Sequence, residues 1–369
     1  MEGGAGTVES VGELKLDLKF YQGKRVFVTG HTGFKGMWLC KMLEFFGAEV
    51  TGYALSAPTA EGEKALQASG VLDNMHAVIG DVRDFSSLKK AFAAAKPEIV
   101  FHLAAQPIVL TSYRAPRETY ETNVMGTVNV LECVRETETV KSFLNVTTDK
   151  VYENKEWIWG YRESEPLDGF DPYSNSKSCS ELVTHSYARS FFADSGTAIS
   201  TMRAGNVIGG GDFAENRIIP DCIRATVRGS AIRLRNPYST RPYQHVLEPL
   251  FAYLLLAGAQ CENRALAGWY NIGPDECDCV TTGALATLFC KAWGEGAHWE
   301  TIAADTPHEA NFLKLDSTKL KAALAWSPRW HIDRAVKKTV EWTKAWYRGD
   351  SISSVMDEEI KEFLEASRT

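Results

Sequence analysis

Lys24-Arg25-Val26-Phe27-Val28-Thr29-Gly30-His31-Thr32-Gly33-Phe34-Lys35-Gly36 decides the fold of this chain. Val26–Val28 reads as a short buried strand, because β-branched and aromatic residues suit a covered, pleated surface. Three glycines follow at three-residue spacing, and a helix is expected from near Met37 to Phe46, stopped at Gly47. At a strand-to-helix junction each glycine has its own task. Gly30 permits a sharp turn, Gly33 lets backbone approach a pyrophosphate, and Gly36 lets the helix pack close to the strand. The helix N-terminus adds free N–H groups and partial positive charge. Gly30, Thr32, Gly33, Phe34, Lys35 and Gly36 are therefore read as a dinucleotide-binding loop.

Alternating strands and helices continue outward from this loop. The second strand, Glu49–Leu55, ends in Tyr53-Ala54-Leu55-Ser56. No carboxylate stands there to hold an adenosine ribose and no arginine to take a 2′-phosphate, so NAD is expected rather than NADP. A third strand, Ala77–Gly80, delivers Asp81 and Val82 to the adenine, with Asp84 or Phe85 near the cap of a helix beginning near Ser86. Pro97–Gln106 reads as a buried strand whose small terminal residues, Leu103, Ala104 and Ala105, leave room for the cofactor, with Gln106 facing substrate. Lys141–Thr148 and Trp269–Gly273 read as further strands, and His245 and Glu248 open a helix that returns to the cofactor domain. The pattern predicts an α/β, Rossmann-type, doubly wound parallel sheet with a smaller C-terminal substrate-binding lobe. The expected division is an extension over 1–20 with a short amphipathic piece (Leu14–Phe20), an NAD-binding domain of 21–202 plus about 243–273, and a lobe of 203–242 plus 274–369. In that lobe lie Pro307-His308-Glu309 and a Trp-rich helix, Thr339–Arg348, whose tryptophans read as core.

Composition narrows the partners. A net charge of −7 and a pI near 5.7 argue against nucleic acid. The longest apolar runs, such as Pro249–Ala259, are too short to span a bilayer. Met1–Ser10 lacks the basic and apolar regions of a signal peptide. The eight cysteines are scattered without zinc-site spacing, so no metal is expected and the thiols read as reduced, in a cytoplasmic protein.

Tyr173-Ser174-Asn175-Ser176-Lys177 carries the chemistry. Four-residue spacing places phenol and ammonium on one helix face, and a nearby ammonium favours phenolate. Such a base can take a proton from a sugar hydroxyl while hydride leaves the same carbon. The strand ending in Thr147-Thr148 lies upstream, followed by Asp149-Lys150-Val151-Tyr152. Alone, Thr148-Asp149-Lys150 reads equally as a capped turn.

Taken together, the glycine loop, Thr148 and Tyr173/Lys177 resemble the extended short-chain dehydrogenase/reductase family. Within it, Thr148-Asp149-Lys150 resembles the CDP-glucose 4,6-dehydratases, where a lysine stands in place of the Thr-Asp-Glu glutamate of other nucleotide-sugar dehydratases. Gly30–Gly36, Trp159–Glu163, Asp171–Lys177, Arg203–Asp212 and Arg235–Pro242 support the same likeness, which runs from about Gly23 to Asp350. It implies NAD as cofactor and CDP-glucose as substrate, in a step of deoxysugar biosynthesis such as that for lipopolysaccharide O-antigen. It implies Tyr173 as base, Lys177 as its tuner and ribose anchor, Thr148 as a hydroxyl partner, Asp149 as acid, and Lys150 as C5 base or enolate stabiliser. Among Arg217, Arg224, Arg228, Arg233, Arg235 and Arg241 it points first to Arg241, then to Arg217, for the diphosphate, with Asn206 on diphosphate or sugar. It also implies a homodimer through a four-helix bundle of the helices near Pro116–Arg135 and Pro172–Phe192. Val124, Val128 and Leu131 would line it with Leu182, Tyr187 and Phe191, unless these stripes only face the sheet. The other readings are a nucleotide-sugar 4-epimerase, a dehydratase of another NDP-hexose, and an NAD-binding protein without turnover.

Overall fold

The computed structural model describes residues 18–302 and 312–366. Pro307-His308-Glu309 and most of Leu14–Phe20 lie outside them; Leu18–Tyr21 form one 3₁₀ turn.

Twelve strands are present among the described residues. Seven form one parallel sheet: β1 (Arg25–Thr29), β2 (Glu49–Ala54), β3 (His76–Ile79), β4 (Ile99–His102), β5 (Ser142–Thr148), β6 (Ala198–Ala204) and β10 (Trp269–Ile272). The remaining five are β7 (Asn206–Ile208), β8 (Ile232–Leu234), β9 (Thr240–His245), β11 (Cys279–Thr281) and β12 (Trp299–Thr301). They make two small sheets, β11-β9-β7 and β12-β8.

The large sheet runs β10-β6-β5-β4-β1-β2-β3. Strand order reverses between β1 and β4, and in a doubly wound sheet that reversal opens a crevice at the carboxyl ends. Thr29 pairs with His102 there, so the glycine loop and Leu103–Ala105 emerge side by side. Every β4 and β5 residue is buried, as expected of strands covered on both faces.

Helix α1 spans Phe34–Phe45 and starts three residues before the position expected from sequence. Gly33 is its extended N-cap (φ −82°, ψ 166°), so Gly36 falls in the first turn. The low helix propensity of glycine hid this start; close packing requires glycine there regardless. The Pro97–Gln106 strand is likewise shorter than expected, closing at His102. The chain continues through α2 (Ala60–Ala68), α3 (Phe85–Ala95), α4 (Val109–Arg114), α5 (Pro116–Tyr120), a π-turn (Glu121–Met125) and α6 (Gly126–Arg135). Asp84 caps α3, its side chain accepting from Ser87 N.

Helix α7 (Pro172–Phe191) follows, with Pro172 in its first turn and Asp171 accepting from Ser174 N. A cap and a pre-set φ at its start fix where Tyr173 begins. Beyond it lie α8 (Ile218–Val227), α9 (Leu247–Glu262), α10 (Thr282–Trp293), α11 (Thr318–Leu324), α12 (Ile332–Arg348) and α13 (Ile352–Glu365). The Trp-rich helix thus starts at Ile332, earlier than read, and Trp342 is buried in the core. Helix α9 is buried over Leu247–Gln260 and packs beneath β5 and β6 with α1. Trp38 of α1 donates to Gly210 O (2.8 Å), tying the cofactor helix to the segment after β7.

Candidate active site

The glycine loop shows in atoms what its spacing implied. Gly30 has φ +79°, and a Cβ there would lie 2.8 Å from Ala104 N. A Cβ on Gly36 would lie 2.1 Å from Gly30 O, an impossible contact. At Gly33 the nearest atom would be Gly30 O at 3.5 Å, so that position is open. Phe34, Lys35 and Gly36 present first-turn amides without intrahelical acceptors. An open glycine beside free amides at a helix N-terminus fits a pyrophosphate. Thr32 donates to Leu55 O (2.8 Å), holding the loop on the end of β2. Replacing Gly33 by valine should leave the fold intact and abolish cofactor binding; a folded variant retaining NAD affinity by calorimetry would remove the loop from this role.

Where the sequence placed the adenine, Asp81 is occupied. Its carboxylate accepts from Arg83 N, Nε and Nη2, and that pairing holds it below the usual carboxylate range. Val82 is buried against Gly126, where a Cβ would come within 2.8 Å of Val82 Cγ2. Leu103 N and Ala104 N both donate to Thr29 Oγ1 (3.1 Å each), with Ala105 next in the chain. The half-buried Gln106 has its side-chain amide bonded within the protein: Nε2 donates to Thr119 and Oε1 accepts from Ile108 N.

At the reaction end, β5 closes on Thr148, which caps the 3₁₀ turn Asp149–Val151. Asp149 is buried. Its Oδ1 accepts from Thr148 Oγ1 (2.9 Å) and Lys150 Nζ (3.0 Å). Its Oδ2 is buried without a hydrogen-bond partner among the described residues. Lys150 Nζ also reaches Asn206 Oδ1 (3.4 Å).

The tuning of Tyr173 differs from the sequence expectation. Desolvation pushes the phenol up to about 12, against which the Thr148 hydroxyl and then Arg217 pull it down. Lys177 donates to Val146 O (3.1 Å), and burial brings its ammonium down to about 8 while Glu181 supports it. Removing charges from water outweighs one favourable neighbour here. Arg217, bound to Asp212 (3.0 Å), belongs to the same electrostatic neighbourhood. Lys35 joins it too: desolvation, Arg217, Lys177 and Lys150 lower its ammonium to about 7, with Asp149 opposing. The charges of Arg217, Lys177 and Lys150 thus all bear on Lys35. Arg241 is buried on β9, donating to Thr240 O (3.0 Å).

Asn123 was missed from sequence. The π-turn swings it inward, where Oδ1 accepts from Gln106 N (2.8 Å) and Nδ2 donates to Gln106 O (3.1 Å) and Ser176 Oγ (2.9 Å). One extra residue in a helical turn leaves no mark on hydrophobic periodicity. His102 supports it: Thr29 and Thr127 bond its two nitrogens, and Thr127 donates to Asn123 O. Thr29 already accepts two backbone amides, so it donates to His102 Nδ1 and the ring proton sits on Nε2.

A dinucleotide cradle facing a Thr-Asp-Lys turn and a Tyr/Lys helix defines a short-chain dehydrogenase/reductase that acts on nucleotide sugars. The chain belongs to the GDP-mannose 4,6 dehydratase family, whose model matches residues 27–339. It is 46% identical over 358 residues to the CDP-glucose 4,6-dehydratase of Salmonella typhimurium, covering 95% of this chain and 99% of that one. Among solved structures, the UDP-glucose 4-epimerase of Thermus thermophilus in complex with NAD is 25% identical with a TM-score of 0.74, over 86% of this chain and 97% of that one. The dTDP-glucose 4,6-dehydratase of Bacillus anthracis in complex with NAD is 19% identical with a TM-score of 0.72, over 90% of this chain and 99% of that one, and shows the shared fold.

Proposed function

We propose that this protein is an NAD-dependent hydro-lyase converting CDP-glucose to CDP-4-keto-6-deoxyglucose and water. The observation that carries this reading is the pair of buried Asp149 and half-buried Lys150 beside Tyr173 and Lys177, together with the 46% identity to a CDP-glucose 4,6-dehydratase. A 4-epimerase needs no acid for a leaving hydroxyl, and Asp149 supplies one.

The cradle of Gly30, Thr32, Gly33, Phe34, Lys35 and Gly36, with Asp81, Val82 and Leu103–Ala105, would hold NAD. Bound there, NAD would supply the hydride acceptor for C4 of the sugar and the hydride donor for C6. Tyr173 accepts the C4 hydroxyl proton, the Thr148 hydroxyl and the Arg217 charge favouring phenolate, with Lys177 one helical turn away assigned as its tuner. The new ketone acidifies the C5 hydrogen. Lys150 and Asp149 then act as a couple across 3.0 Å. Moving one proton from Nζ to Oδ1 turns ammonium and carboxylate into amine and carboxylic acid. The amine takes the C5 proton, the acid protonates the departing C6 hydroxyl, and the pair is ammonium and carboxylate again. Lys150 returns the proton to C5 as C6 is reduced, and the proton collected by Tyr173 makes good the one lost in water. Asn206, Arg217 and Arg241 are assigned to the diphosphate and sugar.

The remaining assignments rest on specific features. The two small sheets with α8, α10 and α12 supply the nucleotide-sugar lobe, while α11 packs on β10 and α13 on α1 and α2; the product enters deoxysugar biosynthesis of the O-antigen kind. Cytoplasmic placement is supported by eight unpaired thiols. No helix among the described residues is long and apolar enough to cross a membrane. A homodimer through α5, α6 and α7 is supported by the exposed Met125, Leu182 and Phe191. Leu131, expected in that stripe, instead lies in the core. Leu182→Glu should shift a dimer toward monomer in light scattering, and a parent that is already monomeric at micromolar concentration would end the dimer assignment.

The test of function is incubation with CDP-, UDP-, dTDP- and GDP-hexoses plus NAD, following the alkaline absorbance of a 4-keto sugar and its mass. Loss of water from CDP-glucose is the expected result. Conversion to the C4 epimer without that loss would overturn the lyase reading.

A further inference from the structure

Glu181 and Arg203 form a fully buried ion pair that no step above uses. Glu181 lies on α7 one turn beyond Lys177, on the same helix face. Its Oε1 accepts from Thr147 Oγ1 of β5 and from Arg203 Nε (3.0 Å) of β6. Its Oε2 accepts from Thr201 Oγ1 (2.6 Å) and Arg203 Nη2 (3.0 Å), and lies 3.2 Å from His185 Nε2. Arg203 Nη1 continues to Tyr152 OH (2.7 Å) and Glu163 O (3.2 Å), and Tyr152 donates to Asn271 Oδ1 (2.6 Å). Tyr152 directly follows the Asp149–Val151 turn. One buried network thus joins the helix of Tyr173 and Lys177 to the turn of Asp149 and Lys150.

We propose that Glu181 is a positioning residue for both halves of the site: its carboxylate is the fixed negative charge that holds the Lys177 ammonium, and through Arg203 and Tyr152 it seats the Asp149–Lys150 turn. A purely structural need is met as well by apolar side chains, because the desolvation of a buried ion pair offsets most of its attraction. What an apolar pair cannot supply is a charge one turn from Lys177.

The groups bearing on Lys177 come from several elements. Lys35 of α1 is a second cation in its neighbourhood. His102 of β4 is kept neutral, near 3, by burial and by Lys177. Val146 O of β5 accepts from its Nζ. Burial lowers its proton affinity, and Glu181 is the charge that raises it. Burial works against the Glu181 carboxylate as well, yet Arg203, His185 and Thr147 hold it well below the ordinary range, so it stays ionised wherever the enzyme works.

The inference rests on the reading of Tyr173 and Lys177 as the redox pair, and the experiment separates the two. Glu181→Gln is made in the full chain. The Lys177 ammonium is titrated by nitrogen NMR of labelled lysine in cofactor-free protein, the signal being assigned by its loss in Lys177→Met. The pH profile of reduced-cofactor formation is recorded in single turnovers with CDP-glucose. Losing the negative charge makes Lys177 release its proton more readily, so its midpoint should fall by about one pH unit or more. The alkaline limb of the profile should move down with it. Glu181→Asp, which keeps the charge, should restore the midpoint even where the rate stays low. If Glu181→Gln leaves Arg203 too poorly compensated to fold, Glu181→Gln/Arg203→Met carries no unpaired charge and is read in the same way. A Lys177 midpoint that does not move in whichever variant folds overturns the proposal. A midpoint that moves while the kinetic profile stays in place supports the charge role of Glu181 and instead refutes the Tyr173/Lys177 assignment.

Discussion

Asparagine in place of Asp149 is expected to stop the reaction halfway, with reduced cofactor and a 4-keto hexose nucleotide accumulating on the enzyme. Oxidation at C4 needs Tyr173 and Lys177, which this change leaves alone. Elimination needs a proton delivered to hydroxide, a poor leaving group, and a positioned acid typically contributes roughly a hundredfold to ten-thousandfold. Asp149→Asn removes the carboxylate that would take the proton from Lys150 Nζ and carry it to the C6 hydroxyl. The acid is lost while Lys150, free of its carboxylate partner, sheds its proton more readily, so the defect falls on leaving-group protonation. The side chain keeps its size, and Asn Oδ1 can still accept from Thr148 and Lys150, so the turn should hold its shape. Rapid-mixing absorbance of the reduced cofactor, read with mass analysis of the nucleotide sugar, makes the measurement. Dehydration at the parental rate would reduce Asp149 to a capping residue.

Tyr173→Phe should give the opposite signature: no reduced cofactor at any time, and turnover lowered by about a thousandfold or more, as expected when a positioned base is removed. The phenol stands near 12 in the free protein because desolvation outweighs the help of Thr148 and Arg217. Its use as a base therefore depends on the positive potential around it. Lys177, lowered to about 8 by burial, loses that charge as pH rises through this value, so hydride transfer in the parent should decline on the alkaline side. Lys177→Met should remove this alkaline limb along with most of the rate. If Tyr173→Phe still forms reduced cofactor at the parental rate, the base is another group, and Lys35, lowered to about 7 in the same cluster, is the first to examine.

Local chemistry made much of this protein legible before any coordinates. Gly30, Gly33 and Gly36 carry their meaning in spacing, because turn geometry and close approach are decided within seven residues. Tyr173 and Lys177 are legible for the same reason, being one helical turn apart, and Asp171-Pro172 marks where that turn begins. The parallel sheet followed from alternating strand and helix patterns, whose central strands β4, β5 and β6 are buried on both faces. Chain separation hid the rest. Whether a charged residue feels a neighbour depends on where the sheet places it: Arg203 lies 22 residues from Glu181, and the charges of Arg217 and Lys177, far along the chain, bear on Lys35. Gln106 was expected to face substrate; only the folded chain shows its amide bonded to Thr119 and Ile108. Asn123 is brought inward by a single extra residue in a turn, and no period in the sequence records it. Sequence determined the residue types and their local geometry. The tertiary structure decided which of them share a low-dielectric space, and there desolvation and neighbouring charge set what each group can do.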